Sequence, residues 1–197
     1  MDEILPGLLH WKTPHPDIPI AVDSYLLPDR GVAIDPLLPE GEGPEWLGHA
    51  VEHVVVTICL HTRSAGTFGR PVRAPRPGLH RWEGRDLEAE PYDDGDEVAP
   101  GVRAIALGTI APDDFALHID VGPGALAFGD AIIRYGEIGF VPDHLIGDDP
   151  ETVKRATLDR LEPLLELDFD ALLFAHGDPL PSGGKAALRA FVEGARG

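Results

Sequence analysis

Residues 54–58 read VVVTI and run directly into a polar turn that carries His61 and Arg63. A run of β-branched residues without polar alternation predicts a strand that is covered on both faces, as in an α/β protein. Ligands in such folds bind beyond the ends of strands, so this turn is the expected site. Two later apolar runs end in the same manner, at Asp130 and at His176.

The length of 197 residues suits one compact domain, and a hydrophobic content of 43% is enough to build its core. We therefore expect a single domain over residues 1–197. Turn-forming residues at 93–95 predict a break there, so that two halves of the domain meet near residues 93–100. The one cysteine, Cys59, lies beside an apolar strand and is expected to be a small core residue.

The chain is strongly acidic, with 34 acidic and 16 basic residues and a formal net charge of -18. This charge opposes nucleic-acid phosphates and anionic membranes, so neither is an expected partner, whereas a small-molecule ligand or substrate is. A homo-oligomer remains open. The N-terminal residues are acidic where a secretory signal is basic, and no apolar run has membrane-spanning length, which predicts a cytoplasmic protein.

The first third of the chain has the pattern of β-hairpins, with strands predicted at residues 8–11, 22–27 and 32–34. The third strand ends at Asp35, whose carboxylate either orients a site or caps the turn. Residues 44–52 have a proline at their first position and an apolar face, which predicts a short helix before the strand at 54–58.

The second half alternates between strands and helices. Apolar runs at 102–107, 115–121 and 125–128 predict neighbouring strands, and a final strand is predicted at 171–175. Asp149 and the proline after it predict a helix start, and Pro163 should kink or split that helix. Ser182 is predicted to cap the last helix.

Two of these strand ends resemble the metallo-β-lactamase superfamily, in both their sequence and their order. Residues 125–130, ALAFGD, resemble the strand of that family that ends in Gly-Asp, and residues 174–177, FAHG, resemble its late ligand turn. The resemblance covers most of the chain and implies an αββα four-layer sandwich. It implies a metal-bridging role for Asp130, a ligand role for His176 and a supporting role for Asp35.

The main metal-binding motif of that family, Thr-His-x-His-x-Asp-His, is absent. The residues at its four ligand positions are Ile58, Leu60, Thr62 and Arg63. A slip of one residue would let His61 serve as a ligand, but an arginine remains protonated and cannot bind a metal. The turn at 107–112, where the family has its next ligand histidine, contains none.

These departures predict a largely lost metal site and no cofactor, and a two-metal site is not expected. A catalytic zinc normally has three protein ligands, and matching positions supply only Asp130, His176 and, after the slip, His61. The alternative is therefore one zinc, iron or manganese ion bound by these three residues.

Two functions follow from these alternatives. The first is a divergent hydrolase of a small ester or thioester, with Asp130, His176 and His61 as catalytic residues. The second is a non-catalytic binder or scaffold in which Arg63 lies near Asp130 and replaces the charge of the metal. Asp35 and Asp143 are further candidates for ligand contacts, because both lie in loops that follow strands.

His176 is either a hydrogen-bonded turn residue or a general base beside Asp130. For the remaining histidines, which include His10 and His15, the sequence shows no partner pattern, and surface or packing roles are expected.

Overall fold

The computed structural model describes residues 1–196 and is built on two facing β-sheets. The first sheet contains seven strands in their sequence order. These are β1 (Asp2–Leu5), β2 (Leu8–Pro14), β3 (Ala21–Leu27), β4 (Val32–Ile34), β5 (His53–Val55), β6 (Val72–Pro75) and β7 (Ala89–Tyr92). Strands β1 to β4 are antiparallel, whereas β4 to β7 are parallel, which confirms the hairpins predicted at the start of the chain.

The chain enters the second half after Tyr92 through seven further strands. They are β8 (Glu97–Ala99), β9 (Val102–Ala106), β10 (Phe115–Ile119), β11 (Ala125–Phe128), β12 (Ile133–Tyr135), β13 (Glu137–Gly139) and β14 (Ala171–Phe174). Five of them form the second sheet in the order β14-β11-β10-β9-β8, and β12 and β13 form a separate hairpin. The three runs predicted as neighbours, β9, β10 and β11, are indeed adjacent.

Two α-helices pack on the outer face of the second sheet, α1 (Pro150–Leu161) and α2 (Gly184–Gly194). The predicted start of α1 is confirmed, because the Asp149 carboxylate accepts a hydrogen bond of 3.2 Å from the Thr152 amide. Helix α1 ends at Leu161 and continues as a 3-10 turn around Pro163, as predicted. Within residues 1–196, no helix has both the length and the hydropathy to cross a membrane.

The predicted cap of α2 at Ser182 is wrong. The helix begins one residue later, after Gly183, whose φ of 70° lies in the left-handed region. Its first amides are bound by Asp170 instead, since the Gly183 amide donates to the Asp170 carboxylate and the Gly184 amide donates to the Asp170 carbonyl. A residue distant in sequence therefore takes the role that local sequence assigned to Ser182.

The outer face of the first sheet is covered by 3-10 turns and loops. The helix predicted at 44–52 is wrong, because only a 3-10 turn forms at Pro44–Leu47. Gly48, with a φ of 67°, ends that turn, and its lack of a Cβ makes this conformation inexpensive. The turn still buries Leu47 against the sheet, so the layer of an αββα sandwich is present in a thinner form.

The largest part of the core lies between the two sheets. In β10, Phe115, Leu117 and Ile119 face the first sheet, whereas Ala116 packs on the helix side. The strand thus buries apolar side chains on both faces, and His118 is its one polar residue. Strand β5 has the same arrangement, since Val55 faces the second sheet and Val54 faces the outer layer.

Strand β5 is shorter than predicted, because it ends at Val55 and not at Ile58. The next residues remain buried but leave the ladder. The Thr57 amide donates to the Asp35 carboxylate at 2.8 Å, and the Thr57 carbonyl accepts from the Phe115 amide at 3.1 Å. This departure from the sheet directs the following turn toward the candidate site.

Tyr25 joins the two sheets by hydrogen bonds, and this yields a prediction about stability. Its hydroxyl donates to the Phe174 carbonyl at 2.8 Å and accepts from the Phe174 amide at 3.0 Å. Removing the hydroxyl in Tyr25→Phe leaves both buried backbone groups unpaired, so we expect a loss of about 1–3 kcal/mol in the free energy of unfolding. Urea unfolding measures this quantity.

Tyr135→Phe is the matched control, because Tyr135 is 57% exposed. It should change the free energy of unfolding by less than about 0.5 kcal/mol. Equal stability of Tyr25→Phe and the unmodified protein would contradict a structural role for these hydrogen bonds.

Candidate metal centre

Three separate segments bring His61, Asp130 and His176 together. His61 lies in the 3-10 turn Cys59–Thr62 that follows β5, Asp130 follows β11 and His176 follows β14. Strands β11 and β14 are parallel neighbours, so the residues after them meet at the same edge of the second sheet. The turn after β5 reaches this edge from the first sheet.

The three side chains form a closed triangle of polar atoms. The Asp130 Oδ1 atom lies 3.1 Å from His176 Nε2 and 3.3 Å from His61 Nε2. The two Nε2 atoms are 3.3 Å apart. Among residues 1–196, this is the one group of three or more His, Cys, Asp or Glu side chains whose ligand atoms are close enough to share a metal ion.

These distances fit three ligands of one divalent ion. Zinc–nitrogen bonds of about 2.0–2.1 Å separate the ligand atoms of a tetrahedral site by about 3.3–3.4 Å. Bonds of the same length separate adjacent ligand atoms of an octahedral site by about 2.8–3.0 Å. The observed 3.1–3.3 Å falls between these values. Two histidines and one carboxylate occur at both catalytic zinc sites and non-haem iron sites, so the ligand set accepts either metal.

Asp35 holds His61 from behind. Its buried carboxylate accepts hydrogen bonds from the Thr57 amide at 2.8 Å and from the Thr57 hydroxyl at 2.6 Å, and it contacts His61 Nδ1 at 3.0 Å. This contact places the Nδ1 proton toward Asp35 and leaves Nε2 facing Asp130. Of the two roles predicted for Asp35, its contacts are those of a residue that orients the site.

The carboxylates also determine the charge of His61 in the metal-free protein. Burial and the charge of Arg63 oppose its protonation, but Asp130 and Asp35 outweigh them and raise the pKa of His61 to about 9. Burial alone would raise the pKa of Asp130, yet His61 and His176 hold that pKa well below its usual range. Without a metal, the cluster is therefore a buried ion pair.

Arg63 lies within reach of the charge of Asp130 but forms no direct ion pair with its carboxylate. Burial lowers the pKa of Arg63, whereas the charges of Asp35 and Asp130 raise it. Within the described chain Arg63 forms no ion pair, and its guanidinium instead donates to three backbone carbonyls. These carbonyls belong to Asp23 at 2.8 Å, Asp35 at 2.8 Å and Ala175 at 3.3 Å. Asp23 lies in β3, Asp35 directly follows β4 and Ala175 directly follows β14. Arg63 therefore connects the two sheets next to the cluster.

Asp143 is not part of the cluster. It lies in the 3-10 turn Asp143–Leu145, where its exposed carboxylate pairs with Lys154 of α1 at 2.8 Å. These contacts give no support to its predicted role in ligand binding. Cys59, in contrast, is buried as predicted, and its amide donates to the carboxylate of Asp113.

The sequence interpretation missed Asp23, which anchors the turn of His176. Its fully buried carboxylate accepts a hydrogen bond from the Gly177 amide at 2.9 Å and contacts His10 Nε2 at 2.7 Å. His10, for which the sequence showed no partner pattern, therefore has a carboxylate partner and also packs on Tyr25. An acidic residue inside an apolar strand, as in AVDSYLL, is the signal that identifies such a position.

Asp114 is a second buried acid that was missed. Its Oδ1 atom accepts a hydrogen bond from the Asp130 amide at 3.3 Å, while Oδ2 has no partner in the described structure. Burial and the nearby charge of Asp130 raise the pKa of Asp114 well above its ordinary value, which favours the uncharged form of this side chain. It follows the turn where the superfamily resemblance leads one to expect a ligand histidine.

Comparisons with known proteins support the fold. A metallo-beta-lactamase family protein from Thermus thermophilus aligns with a TM-score of 0.69 and 18% sequence identity, over 98% of this chain and 81% of that one. A beta-lactamase domain protein from Burkholderia ambifaria gives a TM-score of 0.64 and 18% identity, over 98% and 75% of the two chains. The chain therefore has the metallo-β-lactamase fold that its sequence resembled.

A flavoprotein from Thermotoga maritima aligns with a TM-score of 0.63 and 19% identity, and this chain spans 58% of its length while 95% of this chain is covered. A related structure from the same organism is a variant of a flavo di-iron protein. No family model and no curated protein matches the sequence. Because all these identities are below 20%, the similarity establishes the fold and not the reaction.

The raised pKa of His61 predicts how the stability of the metal-free protein depends on pH. A histidine whose folded-state pKa is about 9 stabilises the fold fully below pH 6.5, and this contribution is lost as the pH rises through 9. We expect the free energy of unfolding, measured with urea and a chelator, to fall by about 1–3 kcal/mol between pH 6 and pH 9.5. His61→Gln should lack this decrease, and a constant or rising stability in the unmodified protein would contradict the ion pair.

The contacts of Arg63 predict that its removal destabilises the fold. Arg63→Ala leaves three carbonyls without their donor, so the free energy of unfolding should fall by about 2–4 kcal/mol. Arg76→Ala is the control, since Arg76 forms an exposed pair with Asp93 and its removal should have a much smaller effect than that of Arg63. Equal effects of the two substitutions would show that Arg63 does not connect the sheets.

Proposed function

We propose that this protein is a hydrolase of small esters or thioesters that uses one divalent metal ion bound by His61, Asp130 and His176. The observation that carries the proposal is the closed triangle of ligand atoms, with sides of 3.1–3.3 Å. Three protein ligands leave positions free for water and substrate, as catalytic sites require. The reaction class rests on the similarity of the fold.

The protein residues have separable roles in this proposal. A divalent ion in such a site supplies Lewis acidity and makes a water molecule acidic enough to attack a carbonyl near neutral pH. Asp35 fixes the ring and the tautomer of His61, and the Asp23 contact with Gly177 fixes the backbone beside His176. The Asp114 contact with the Asp130 amide holds the third ligand.

A single ion is proposed because the four motif positions of the superfamily hold Ile58, Leu60, Thr62 and Arg63, none of which is a usual metal ligand. Ile58 is completely buried and apolar, and Leu60 projects toward solvent with 58% of its surface exposed. Neither side chain has an atom that binds a metal. The described residues accordingly contain one ligand cluster and not two.

The contacts do not favour the alternative of a metal-free binder that depends on Arg63. The Nη1 and Nη2 nitrogens of its guanidinium already donate to the carbonyls of Asp23, Asp35 and Ala175. An anionic ligand would compete with these hydrogen bonds between the sheets. A metal-free binding protein would therefore be the conclusion only if the purified protein binds no stoichiometric metal ion.

The metal content of purified, tag-free protein tests the proposal. After incubation with zinc, iron(II) or manganese and removal of free ions, elemental mass spectrometry should find about one ion per chain. Asp130→Asn and His176→Gln should lose it, and Asp35→Asn should weaken its binding by about 10–100-fold.

His144→Asn serves as the control, because His144 is an exposed histidine in the Asp143–Leu145 turn. It should retain the full metal content. Metal-dependent hydrolysis of p-nitrophenyl acetate or of an acetyl thioester then tests the reaction class. Absence of any stoichiometric ion in the unmodified protein would overturn the proposal.

A further inference from the structure

Large exposed hydrophobic side chains are few in this acidic protein, and most of them lie on segments that adjoin the metal centre. The six exposed side chains of this kind in the described chain are Met1, Ile18, Ile20, Leu60, Tyr135 and Leu145. Met1 is the first residue, and Leu145 lies in the turn that pairs with α1 through Asp143 and Lys154. The other four form what we call the apolar rim.

Two residues of the apolar rim, Ile18 and Ile20, lie in the loop between β2 and β3. The strand that follows this loop borders the turn of His176, because the Asp23 amide of β3 donates to the Ala175 carbonyl at 3.0 Å. His15 begins the loop, and its amide donates to the Ile20 carbonyl at 2.9 Å. Burial and the positive charges of Arg63, His176 and His61 lower its pKa, so its imidazole is uncharged at neutral pH.

Tyr135 belongs to the β12–β13 hairpin and approaches from the opposite side of the same turn. The amide of its neighbour Arg134 donates to the His176 carbonyl at 3.0 Å, and Arg134 forms a parallel β-bridge with Gly177. Leu60 directly precedes His61 in the 3-10 turn. Three segments that adjoin the ligand-bearing turns thus each carry an exposed apolar side chain.

The basic side chains near the apolar rim are already paired or bonded. Lys12 lies 2.5 Å from the carboxylate of Asp178 and 3.5 Å from that of Asp23. The Arg134 guanidinium donates to the backbone carbonyls of Asp178 and Pro179. With a formal net charge of -18 on the whole chain, an anionic substrate meets repulsion, and these two cations already have other partners.

We propose that the apolar rim binds the aliphatic or aromatic part of an uncharged substrate, and that the hydrolysed ester or thioester therefore carries an apolar acyl group. This inference rests on the proposed function for the reaction, whereas the binding of an apolar group is independent of it. Two clefts of about 250 and 210 Å³ elsewhere on the molecule, both bordered by Asp120, contain none of the cluster residues. The apolar group is held by surface loops and not by a deep pocket.

The test compares two small amides, hexanamide and its anionic analogue adipamate, by NMR titration. Neither amide needs to be hydrolysed, so the experiment works with or without metal. Hexanamide should bind at least about fivefold more tightly than adipamate, because burial of its alkyl chain is favourable and a carboxylate is repelled. The double variant Leu60→Ser, Tyr135→Ser should weaken hexanamide binding at least about fivefold.

Leu145→Ser is the matched control, because it removes an exposed leucine from a turn that pairs with α1. It should leave hexanamide binding unchanged. Equal binding of the two amides, or equal effects of Leu145→Ser and the double variant, would overturn the apolar rim. Ile18→Ser provides a second test if the double variant does not fold.

Hydrolysis separates this inference from the proposed function. In metal-loaded protein, p-nitrophenyl hexanoate should be preferred over p-nitrophenyl acetate in kcat/KM, and the double variant should abolish this preference. If no ester is hydrolysed, the proposed function fails while the amide titration still decides the inference. If both esters are hydrolysed equally well, the inference fails while the proposed function stands.

Discussion

The carboxylate of Asp35 is a charge held out of water between the two sheets, and the surrounding structure is arranged to satisfy it. Thr57 supplies two hydrogen bonds from the end of β5, and His61 supplies a third contact from the next turn. A buried carboxylate without such partners would be costly, so these contacts and the path of residues 57–61 are mutually dependent. The contacts of Thr57 and His61 that compensate the charge of Asp35 therefore also position His61 in the candidate centre.

Arg63 performs a related role for the backbone. Its own φ of 40° is unusual for a residue with a side chain, and the turn adopts this conformation where the guanidinium reaches three carbonyls. A lysine has one ammonium group and lacks the planar fork needed for this arrangement. Arg63 thus stands at a position where the superfamily has a metal ligand. In this protein its side chain holds together the strands that carry the remaining candidate ligands.

The sequence predicted those features that depend on local pattern. Apolar runs identified β10, β11 and β14, and the polar residues after β11 and β14 identified Asp130 and His176 as neighbours. The prediction failed where a residue distant in sequence makes the contact. Asp170 caps the last helix in place of Ser182. The Arg63 guanidinium binds backbone carbonyls instead of the Asp130 carboxylate. Asp23 and Asp114 were missed because burial of a charged residue depends on contacts across the fold, which periodicity does not reveal.

The hydrogen bonds of Tyr25 also affect how copies of this protein meet each other. Strand β14 is the outermost strand of its sheet and consists of ALLF, a sequence suited to pairing with another chain. Its outward polar groups are already used, since Leu172 exchanges two hydrogen bonds with Leu180 and Phe174 is bound by Tyr25. The protein thereby blocks the edge of β14 with its own residues, which disfavours pairing of this strand with a strand of another copy.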